Sequence, residues 1–500
     1  MTAWTSTDPA PTGTVPASSD GVPAPAASPS APREDRMTAP HFPALHRVHP
    51  LGWINDPNGI VRVDGRWHVY FQHNPFSARH ERIHWGHMSS PDLVSWREEP
   101  LGPVPRPGEA DRGGCWSGVA TREGGREGAA LVYSGVDDRD VQLSQVVVAR
   151  TDAALEHLTE PGHVAAGVPE GLDLLGIRDP FLVELDGRRW AIQGAGLRDG
   201  TDEQGQERVV PALLLFDATD LDHWEYRGSL LTGEDTLAAQ HAPADIWECP
   251  QLVEVDGRWV LLLSLWLRPE RVARSTVQVN YLVGDLVTDE ATGLPRFVPE
   301  AGGRADLGPD FYAPQAVVDA AGERVLAWGW SWEGLDRVQQ QTDEQGWAGC
   351  LTFPRELGLV GDRLVMRAPR ELEALRGAEL PTVPAGPAGG SAASGDGAPA
   401  AVGASCPDGA AGEVLDLPAP FRAEVELTGA ATVELHRADG RVETVIELPG
   451  GAARLLTDGG ILELLPAADT PSTVRLYPEA DDTLTLRGHL GRAWELRLPA

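Results

Sequence analysis

The sequence predicts an all-β protein that consists of a five-bladed β-propeller followed by a C-terminal β-sandwich. A hairpin phrase recurs about every sixty to seventy residues through the first two-thirds of the chain, and five copies can be recognised. Short strands with alternating apolar and polar residues fill roughly the last hundred residues. Repeated units of a few strands are typical of propeller blades, and alternating strands are typical of sheets with one polar face.

The repeated phrase is an acidic turn, a short apolar strand, a tight hairpin and a second apolar strand that often contains tryptophan. Its clearest copies have an Asp-Gly hairpin, at Asp64-Gly65, Asp186-Gly187 and Asp256-Gly257. Looser copies lie around Gly124-Gly125 and Gly322. Asp-Gly between apolar runs is a strong signal for a two-residue hairpin. We therefore expect each copy to form one blade.

Composition divides the chain into four segments. Residues 1–40 are rich in Pro, Ala, Ser and Thr and are expected to be disordered. Residues 41–370 hold the five copies and form the predicted propeller. Residues 371–404 begin with a short helical pattern and continue as a flexible linker rich in Gly, Ala and Pro, which leaves residues 405–500 for the sandwich.

The 500-residue chain carries 41 basic and 74 acidic residues, a formal net charge of −33, and no lysine. Binding to nucleic acid or to an anionic membrane needs a basic surface, so neither partner is expected. The missing lysine also excludes a P-loop phosphate site and a pyridoxal Schiff base.

Cysteine usage favours a reducing compartment. The cysteines Cys115, Cys249, Cys350 and Cys406 are isolated in the sequence, which fits neither a zinc site nor a dense disulfide framework. No run of 18 apolar residues predicts a membrane span, and no secretory pattern opens the sequence. We therefore expect a cytoplasmic protein, and nothing in the sequence indicates its oligomeric state.

Three acidic residues recur at similar places in the repeat. Asp56 and Glu248 each lie eight residues before the Asp of the following hairpin, and Asp179 lies seven residues before it. Each alone has an ordinary explanation as a turn, ion-pair or capping residue. Equivalent repeat positions occupy equivalent places, so the three side chains should converge at one end of the propeller axis. A purely structural core would avoid such a cluster, because buried carboxylates repel one another.

Glycoside hydrolysis is the chemistry that needs such a cluster. One carboxylate attacks the anomeric carbon, and a second, protonated carboxyl donates to the leaving oxygen. A retaining enzyme holds the two about 5 Å apart. A neighbouring carboxylate and a dry pocket would raise the pKa of the acid.

The phrases around these acids are Trp53-Ile54-Asn55-Asp56-Pro57-Asn58-Gly59, Arg178-Asp179-Pro180 and Trp247-Glu248-Cys249-Pro250. With further matches such as Trp116-Ser117-Gly118, they resemble the phrases of glycoside hydrolase family 32, the invertase, sucrose-phosphate hydrolase, levanase and inulinase group. The similarity runs from about His46 to Pro369 and so covers the whole predicted propeller.

The resemblance implies retaining hydrolysis of terminal β-D-fructofuranosidic bonds in sucrose or short fructosides, through a covalent fructosyl-enzyme and without a metal or organic cofactor. Asp56 would attack C2 of the fructosyl unit, and Glu248 would protonate the leaving sugar and later deprotonate water. Asp179, held by Arg178, would bind the fructosyl hydroxyls. Polar contacts and aromatic walls are implied for Trp53, Asn55, Gln72, His80, Trp85, Trp116, Ser117, Arg178, Tyr312 and Trp330.

The sequence departs from the family pattern at two positions. His80 stands where members of the family often have a Trp that lines the fructose pocket, so the pocket shape or the preferred leaving group should differ. Gln251 replaces an Asp common after Glu-Cys-Pro, and a change in the hydrogen bonds around the acid is expected. The spacing of His80, His84 and His87 is not expected to bind a metal, because the segment is a loop entering a strand.

Two alternatives remain at the level of the sequence. A fructosyltransferase on the same scaffold would use the same residues, with a sugar instead of water resolving the intermediate. A non-catalytic carbohydrate-binding propeller would lack at least one of Asp56, Asp179 and Glu248, and all three are present. The sequence does not distinguish sucrose, sucrose 6-phosphate, inulin and levan as substrates.

Overall fold

The computed structural model describes residues 39–201, 205–268, 278–319, 322, 324–334, 337–385 and 412–499. Most of these residues lie in strands, which confirms the all-β prediction. Helical elements among them are short: α1 (Thr236–His241), α2 (Gln339–Gln345) and the 3₁₀ helix η1 (Arg370–Leu375). No helix in this part of the chain is long and apolar enough to span a bilayer. The predicted disorder of residues 1–38, the predicted linker over 386–404 and Cys406 lie outside the described residues.

The strands before the C-terminal region sort into groups of consecutive antiparallel strands. The first group contains β1 (Gly52–Val63), β2 (Arg66–Asn74), β3 (His84–Ser90) and β4 (Arg97–Glu98). The second contains β5 (Gly114–Thr121), β6 (Ala130–Asp137), β7 (Asp140–Thr151) and β8 (Leu158–Ala166). The third contains β9 (Leu174–Leu185), β10 (Arg188–Thr201), β11 (Glu207–Asp217) and β12 (Glu225–Thr232).

The fourth group contains β13 (Ile246–Val255), β14 (Arg258–Trp266), β15 (Val279–Thr288) and β16 (Pro295–Arg304). The fifth contains β17 (Tyr312–Val318) and β18 (Val325–Ser331), followed after two short strands by β21 (Arg355–Val360) and β22 (Arg363–Arg367). Those short strands are β19 (Trp347–Ala348), which pairs in parallel with β1, and β20 (Cys350–Leu351), which pairs with β18. The chain therefore adds a strand to the first group, through β19, before it completes the fifth group with β21 and β22.

The Asp-Gly hairpins form as the sequence predicts. At the turn between β1 and β2, Asp64 has φ 48° and Gly65 has φ 80°. Positive φ at both central residues is the requirement of a type I′ turn, whose twist matches that of the flanking strands. The turns between β9 and β10 and between β13 and β14 also have positive φ at both positions.

The first strands of the groups stand side by side around a closed ring. β1 contacts β5, β5 contacts β9, β9 contacts β13, β13 contacts β17, and β17 contacts β1. Most of the backbone of these strands is buried, and apolar side chains pack between neighbouring groups. The ring brings five strand segments of similar sequence to one centre.

The C-terminal region is one hydrogen-bonded sheet in which two long strands run through both halves. Its strands are β23 (Arg376–Glu379), β24 (Val383–Pro384), β25 (Glu413–Pro418), β26 (Ala423–His436), β27 (Val442–Leu448), β28 (Ala453–Asp458), β29 (Ile461–Pro466), β30 (Ser472–Arg475) and β31 (Thr483–Leu496). β26 pairs with β28 before an irregularity between Leu427 and Ala431, and with β27 after it. Both halves contribute to one apolar cluster, which includes Val425, Val433 and Leu455.

A buried ion cluster joins the C-terminal sheet to the five groups. Arg355 lies between Asp306, 2.8 Å from its Nη1, and Glu463, 2.6 Å from its Nη2. His46 lies between the same Glu463 and Asp458, with Nδ1 2.9 Å from Asp458 Oδ2 and Nε2 3.0 Å from Glu463 Oε1. Because both ring nitrogens of His46 face carboxylates, the imidazole is held in its protonated form.

The pKa of His46 is accordingly raised from its ordinary value. Burial lowers it, but the hydrogen bonds with Asp458 and Glu463 and the charges of the two carboxylates outweigh that effect. A raised folded-state pKa means that the folded protein binds this proton more tightly than the unfolded chain does. The resulting stability is fully present below about pH 6.5 and is lost as the pH rises through the folded-state pKa.

We expect His46→Gln to lower the free energy of unfolding by about 1–3 kcal/mol near pH 5.5, because buried Asp458 and Glu463 lose the imidazolium between them and keep only Arg422 and Arg355 as cations. The difference from wild type should shrink as the pH rises above about 6.5. Denaturant unfolding at a series of pH values measures this difference. His157→Gln, at an exposed histidine, is the matched control and should show no such dependence. A His46→Gln difference that does not change with pH would show that His46 is not protonated in the folded state.

Candidate active site

Each first strand of the ring carries a β-bulge, in which two residues oppose one on the second strand. The bulged pairs are Asn55 and Asp56 on β1, Trp116 and Ser117 on β5, Asp179 and Pro180 on β9, Cys249 and Pro250 on β13, and Ala313 and Pro314 on β17. Proline within or directly after four of these bulges cannot donate to the ladder, which explains why the pairing breaks there. Bulges re-aim side chains, and here they turn five sets of residues towards one centre.

The backbone at three of the bulges is in the left-handed region. Asp179 has φ 60°, and Cys249 and Ala313 each have φ 45°. Residues other than glycine adopt this backbone conformation at a cost of about 1–3 kcal/mol each. Such a conformation persists only where the surroundings stabilise it, and the next contacts identify what does so.

Side-chain oxygens of each group accept hydrogen bonds from backbone N–H groups in or near the bulge of the next group. The five acceptor–donor pairs are Asn58 Oδ1 with Gly118 N (3.2 Å), Ser134 Oγ with Asp179 N (2.7 Å), Asp179 Oδ2 with Cys249 N (2.9 Å), Ser264 Oγ with Ala313 N (3.1 Å), and Gln315 Oε1 with Ile60 N (2.8 Å). The pairs run from the first group to the fifth and back to the first. We call this closed set of hydrogen bonds the capping ring.

Asp56 is buried and bonded only by neutral donors. Asn55 Nδ2 donates to its Oδ1 at 3.0 Å, while Gln72 Nε2 (3.1 Å) and Ser117 Oγ (2.6 Å) donate to its Oδ2. Burial raises the pKa of Asp56 to about 6, and the charge of Glu248 adds to the rise, while the hydrogen bonds from Ser117 and Asn55 oppose it. Asp56 is therefore ionised at neutral pH and accepts hydrogen bonds from these three side chains.

Glu248 has different partners. Arg178 Nε donates to its Oε1 at 2.7 Å, and the Tyr312 hydroxyl donates to its Oε2 at 2.8 Å. Arg178 is itself fixed by Gln142 Oε1, 3.0 Å from its Nη1, and by the Trp266 ring, 5.4 Å from its guanidinium carbon. Arg178 was expected to hold Asp179, but its hydrogen bond goes to Glu248, the acid of the next group, and only its charge acts on Asp179.

Asp179 lies in the capping ring, and the thiol of Cys249 lies between it and Asp56. Cys249 Sγ is 3.5 Å from Asp179 Oδ2 and 3.6 Å from Asp56 Oδ2. Burial and the charge of Glu248 raise the pKa of Asp179, which the nearby Arg178 partly offsets. Burial and the adjacent carboxylates raise the pKa of the Cys249 thiol, so it stays neutral and presents an S–H group to the two carboxylates. The three predicted acids are thus brought together as expected.

Aromatic rings surround this centre on one side. Trp53 contacts Trp330, with ring centroids 5.7 Å apart, and His80 lies edge-on to both Trp53 (5.8 Å) and Trp116 (5.5 Å). Trp53 Nε1 also donates to Asn55 Oδ1 at 2.6 Å, which orients the amide that bonds Asp56.

Trp85 does not belong to this wall, and the expectation that it does is wrong. Its side chain is fully buried and packs between Tyr70 and Tyr133, with both ring centroids 5.7 Å away. Because β3 is the third strand of its group, the side chain fills the space between the first and second groups. It supports the site only through Nε1, which donates to the carbonyl of Trp116 at 3.0 Å.

Gln251 makes its hydrogen bonds to the backbone beside Glu248 and on the next first strand. Its Nε2 donates to the carbonyl of Pro250 at 2.8 Å, and its Oε1 accepts from the backbone N–H of Ala316 at 3.0 Å. It therefore ties β13 to β17 instead of bonding to Glu248. The amide is longer than the aspartate common in the family and reaches the neighbouring strand.

Sequence reasoning missed several residues of the site. Cys249, Ser134 and Gln142 make contacts that hold the acids, and Trp332 stacks on Tyr312 with ring centroids 6.3 Å apart. Of these residues, only Cys249 could have been singled out from the sequence, because it directly follows Glu248. Ser134 and Gln142 lie on β6 and β7 and act on residues of the next group.

Within the described ranges, no group of three or more His, Cys, Asp or Glu side chains is arranged to hold a metal ion. Cys115, Cys249 and Cys350 are free thiols, and all three are buried.

Comparisons with known proteins agree with this geometry. Residues 46–368 match the model of the glycosyl hydrolases family 32 N-terminal domain. The raffinose invertase of Escherichia coli is 33% identical over 343 residues, which are 67% of this chain and 66% of that protein. The sucrose-6-phosphate hydrolase of Zymomonas mobilis is 31% identical over 356 residues, 69% of this chain and 65% of that protein. The match thus spans slightly less than two thirds of the length of these relatives.

Solved structures share the fold. Sucrose-6-phosphate hydrolase from Lactobacillus gasseri has a TM-score of 0.72 at 22% identity, over 93% of this chain and 95% of that one. A β-fructofuranosidase of the same family from Bombyx mori, a mutant in complex with sucrose, has a TM-score of 0.69 at 22% identity, over 93% and 97%. The likeness covers the five groups and the C-terminal sheet together.

The capping ring predicts different outcomes for two substitutions of Asp179. Asp179→Asn keeps an oxygen that can accept from Cys249 N and should unfold with a free energy close to that of wild type. Asp179→Ala leaves that buried N–H without an acceptor and should cost about 1–3 kcal/mol. Ser264→Ala, which removes the equivalent acceptor of Ala313 N, is the matched control and should cost a similar amount in the same denaturant titration. Equal stability of the Asn and Ala variants would contradict this role of Asp179.

Proposed function

This chain belongs to glycosyl hydrolase family 32, and on that premise we propose that the protein is a β-fructofuranosidase. It would cleave the terminal β-D-fructofuranosidic bond of sucrose or of related short fructosides, with retention of configuration at C2. The observation that carries the proposal is the convergence of buried Asp56 with half-buried Glu248, two carboxyl groups that have different partners. Asp56 accepts only from neutral donors, whereas Glu248 is held by a guanidinium and a phenol. The assignment of Asp56 as the nucleophile and Glu248 as the acid rests on the resemblance of their sequence phrases to those of the family.

In the first step, an oxygen of Asp56 attacks C2 of the fructosyl unit while Glu248 gives its proton to the glycosidic oxygen of the leaving sugar. A pKa of about 6 leaves Asp56 ionised at neutral pH, as a nucleophile must be. The carboxylate that Glu248 becomes would be stabilised by Arg178 and Tyr312, whose donors already point at it. The products of this step are the free leaving sugar and a fructosyl ester of Asp56.

In the second step, Glu248 takes a proton from water, and the water oxygen attacks C2. The ester bond to Asp56 breaks, which frees fructose and restores the aspartate and the protonated Glu248. Positive charge develops at the fructosyl ring in both transition states. Asp179 would bind the fructosyl hydroxyls and stabilise that charge, while Trp53, Trp116 and Trp330 would offer aromatic faces to the sugar.

The proposed architecture is a five-bladed propeller over residues 41–370 and a β-sandwich over residues 405–500, joined by the connector 371–404. The closed ring of first strands and the five antiparallel groups support the propeller. The apolar cluster shared by both halves of the C-terminal sheet supports the sandwich. The site then lies where the five bulges meet, at one end of the propeller axis.

Sucrose is the first substrate to test, because the relatives are named as an invertase and as sucrose-6-phosphate hydrolases and one structural neighbour holds sucrose. Fructans are the next class, since a structural neighbour from Cichorium intybus is named a fructan 1-exohydrolase. The free thiols of Cys115, Cys249 and Cys350 support the proposal of a reducing, cytoplasmic location.

The experiment that tests the function measures fructose release from sucrose by the purified protein beside Asp56→Asn. We expect release by the wild type and its loss in the variant, because an amide cannot form the fructosyl ester. His157→Gln, at an exposed histidine between β7 and β8, is the folded control and should release fructose like the wild type. Release that persists in Asp56→Asn would refute the role of Asp56. If neither protein releases fructose from sucrose, sucrose 6-phosphate, inulin or levan, the proposed function is wrong.

Glu248→Gln should distinguish the acid from the nucleophile. Hydrolysis of sucrose should fall by about 10²–10⁴-fold, the usual contribution of a general acid. Cleavage of an aryl fructoside with an activated leaving group should fall much less in the first step, because that group leaves without protonation. Burst kinetics separate the two steps. Equal first-step losses on both substrates would show that Glu248 is not the acid.

A further inference from the structure

His80 lies in the loop between β2 and β3, and contacts on both sides fix its position. Ala78 and Ile83, which flank it, are almost fully buried. The backbone N–H of Trp53 donates to the carbonyl of Ser77 at 2.9 Å, and Asn74 Nδ2 donates to the carbonyl of Arg79 at 3.0 Å. The imidazole itself is partly buried between the edges of two tryptophans. The loop therefore presents His80 to the site in one place.

Among the residues that the structure describes, Gln72 is the only one whose side chain makes a polar contact with the His80 ring. His80 Nε2 lies 3.0 Å from Gln72 Oε1, while Gln72 Nε2 lies 2.6 Å from Ser117 Oγ and 3.1 Å from Asp56 Oδ2. A glutamine side chain has one oxygen that accepts and one nitrogen that carries two hydrogens. Turning the amide over would place its oxygen against the carboxylate of Asp56, which is repulsive. The hydrogen-bond network therefore assigns the amide orientation.

The direction of each hydrogen bond follows from that orientation. Gln72 donates to Ser117, whose hydroxyl is then free to donate to Asp56 Oδ2 at 2.6 Å. Gln72 Oε1 needs a donor, so His80 carries its proton on Nε2. Burial lowers the pKa of His80 to about 4, which keeps the imidazole neutral at neutral pH. The Nε2–H tautomer of His80 thus fixes the orientation of the Gln72 amide, and that orientation decides which donors face Asp56 Oδ2.

We propose that His80 is a positioning residue for the nucleophile: its Nε2–H holds the Gln72 amide in the orientation that directs donors to Asp56. The proposal rests on the proposed function for its kinetic consequence, but the hydrogen-bond chain is a property of the folded protein. It also assigns a role to the position at which this chain departs from its family. An imidazole is smaller than an indole, and here it acts through its N–H group as well as its ring edge.

If the Gln72 amide is no longer held in one orientation, the pKa of Asp56 should change, and with it the pH dependence of the rate. Without the His80 donor, Gln72 can turn its oxygen towards Ser117 or Asp56, and the carboxylate loses an N–H donor that favours its charged form. Asp179 and Glu248 also face Asp56, with Arg178 and Tyr312 behind Glu248. These groups do not change, so the pKa of Asp56 should rise. The acid limb of kcat/KM should then move to higher pH.

The test compares His80→Leu with His80→Gln, which keeps an N–H donor on a flexible side chain. His80→Leu should lower kcat for sucrose by about 10–100-fold, the range expected when a reacting group loses its fixed geometry, and should move the acid limb upwards. His80→Gln should recover part of kcat and return the acid limb towards that of wild type. Phe76→Leu, at an exposed side chain of the same loop, is the control and should not move the limb.

A double variant separates positioning from simple contact with the sugar. If His80 acts through Gln72, then His80→Leu combined with Gln72→Leu should have a kcat no lower than that of Gln72→Leu alone. Losses in kcat that multiply, or a rise in KM that is the same for His80→Leu and His80→Gln with no shift of the acid limb, would overturn the proposal. Either result would make His80 a wall of the pocket only.

A measurement without turnover keeps this inference distinct from the proposed function. In protein labelled with ¹⁵N-histidine, long-range ¹H–¹⁵N spectra report which ring nitrogen carries the proton, and His80→Gln assigns the signal. We expect a neutral Nε2–H tautomer for His80 near pH 7 that is lost or exchange-averaged in Gln72→Leu. An Nδ1–H tautomer, or no change in Gln72→Leu, would overturn the inference whatever the substrate. Absence of fructose release with the expected tautomer would refute only the function.

Discussion

The capping ring is the interaction on which the rest of the site depends. Five strands meet at the centre, and each interrupts its pairing with a bulge, so each would leave buried N–H groups without acceptors. A buried N–H without a partner costs about 1–3 kcal/mol, and three of the bulges also hold left-handed residues. Side-chain oxygens of one group satisfy the N–H groups of the next. The bulges are therefore stable only when all five groups are in place.

This constraint explains how the site holds carboxylates that repel one another. Asp179 is part of the ring. It accepts a hydrogen bond from the backbone N–H of Cys249, the residue that directly follows Glu248. The ring thus sets the position of two acids through one hydrogen bond. Asp56 belongs to a bulge whose neutral donors come from the first and second groups. The three acids differ chemically because their hydrogen-bond donors come from different groups: the first and second for Asp56, the fourth for Asp179, and the third and fifth for Glu248.

The periphery of the site is less constrained than the ring, and there the chain can differ from its relatives without loss of the fold. His80 sits in a loop and contacts the nucleophile only through Gln72. Gln251 bridges two first strands and leaves the acids untouched. Arg355, Glu463 and His46 join the C-terminal sheet to the ring-bearing region by buried charges. These ion pairs contain none of the three acids, whereas Asp179 belongs both to the capping ring and to the site.

The sequence by itself determined the all-β class, the Asp-Gly turns, the family and the convergence of the three acids, because these features depend on local patterns: turn geometry needs particular residues, and a repeat places equivalent residues equivalently. It misplaced the partner of Arg178 and the site of Trp85, it left the contacts of Gln251 open, and it missed Ser134 and Gln142. These depend on which strands become neighbours after the ring closes, and on how a bulge turns two consecutive side chains apart. A hydrogen bond between residues of different groups leaves no signal in either segment, so only the tertiary structure decided which group each acid bonds to.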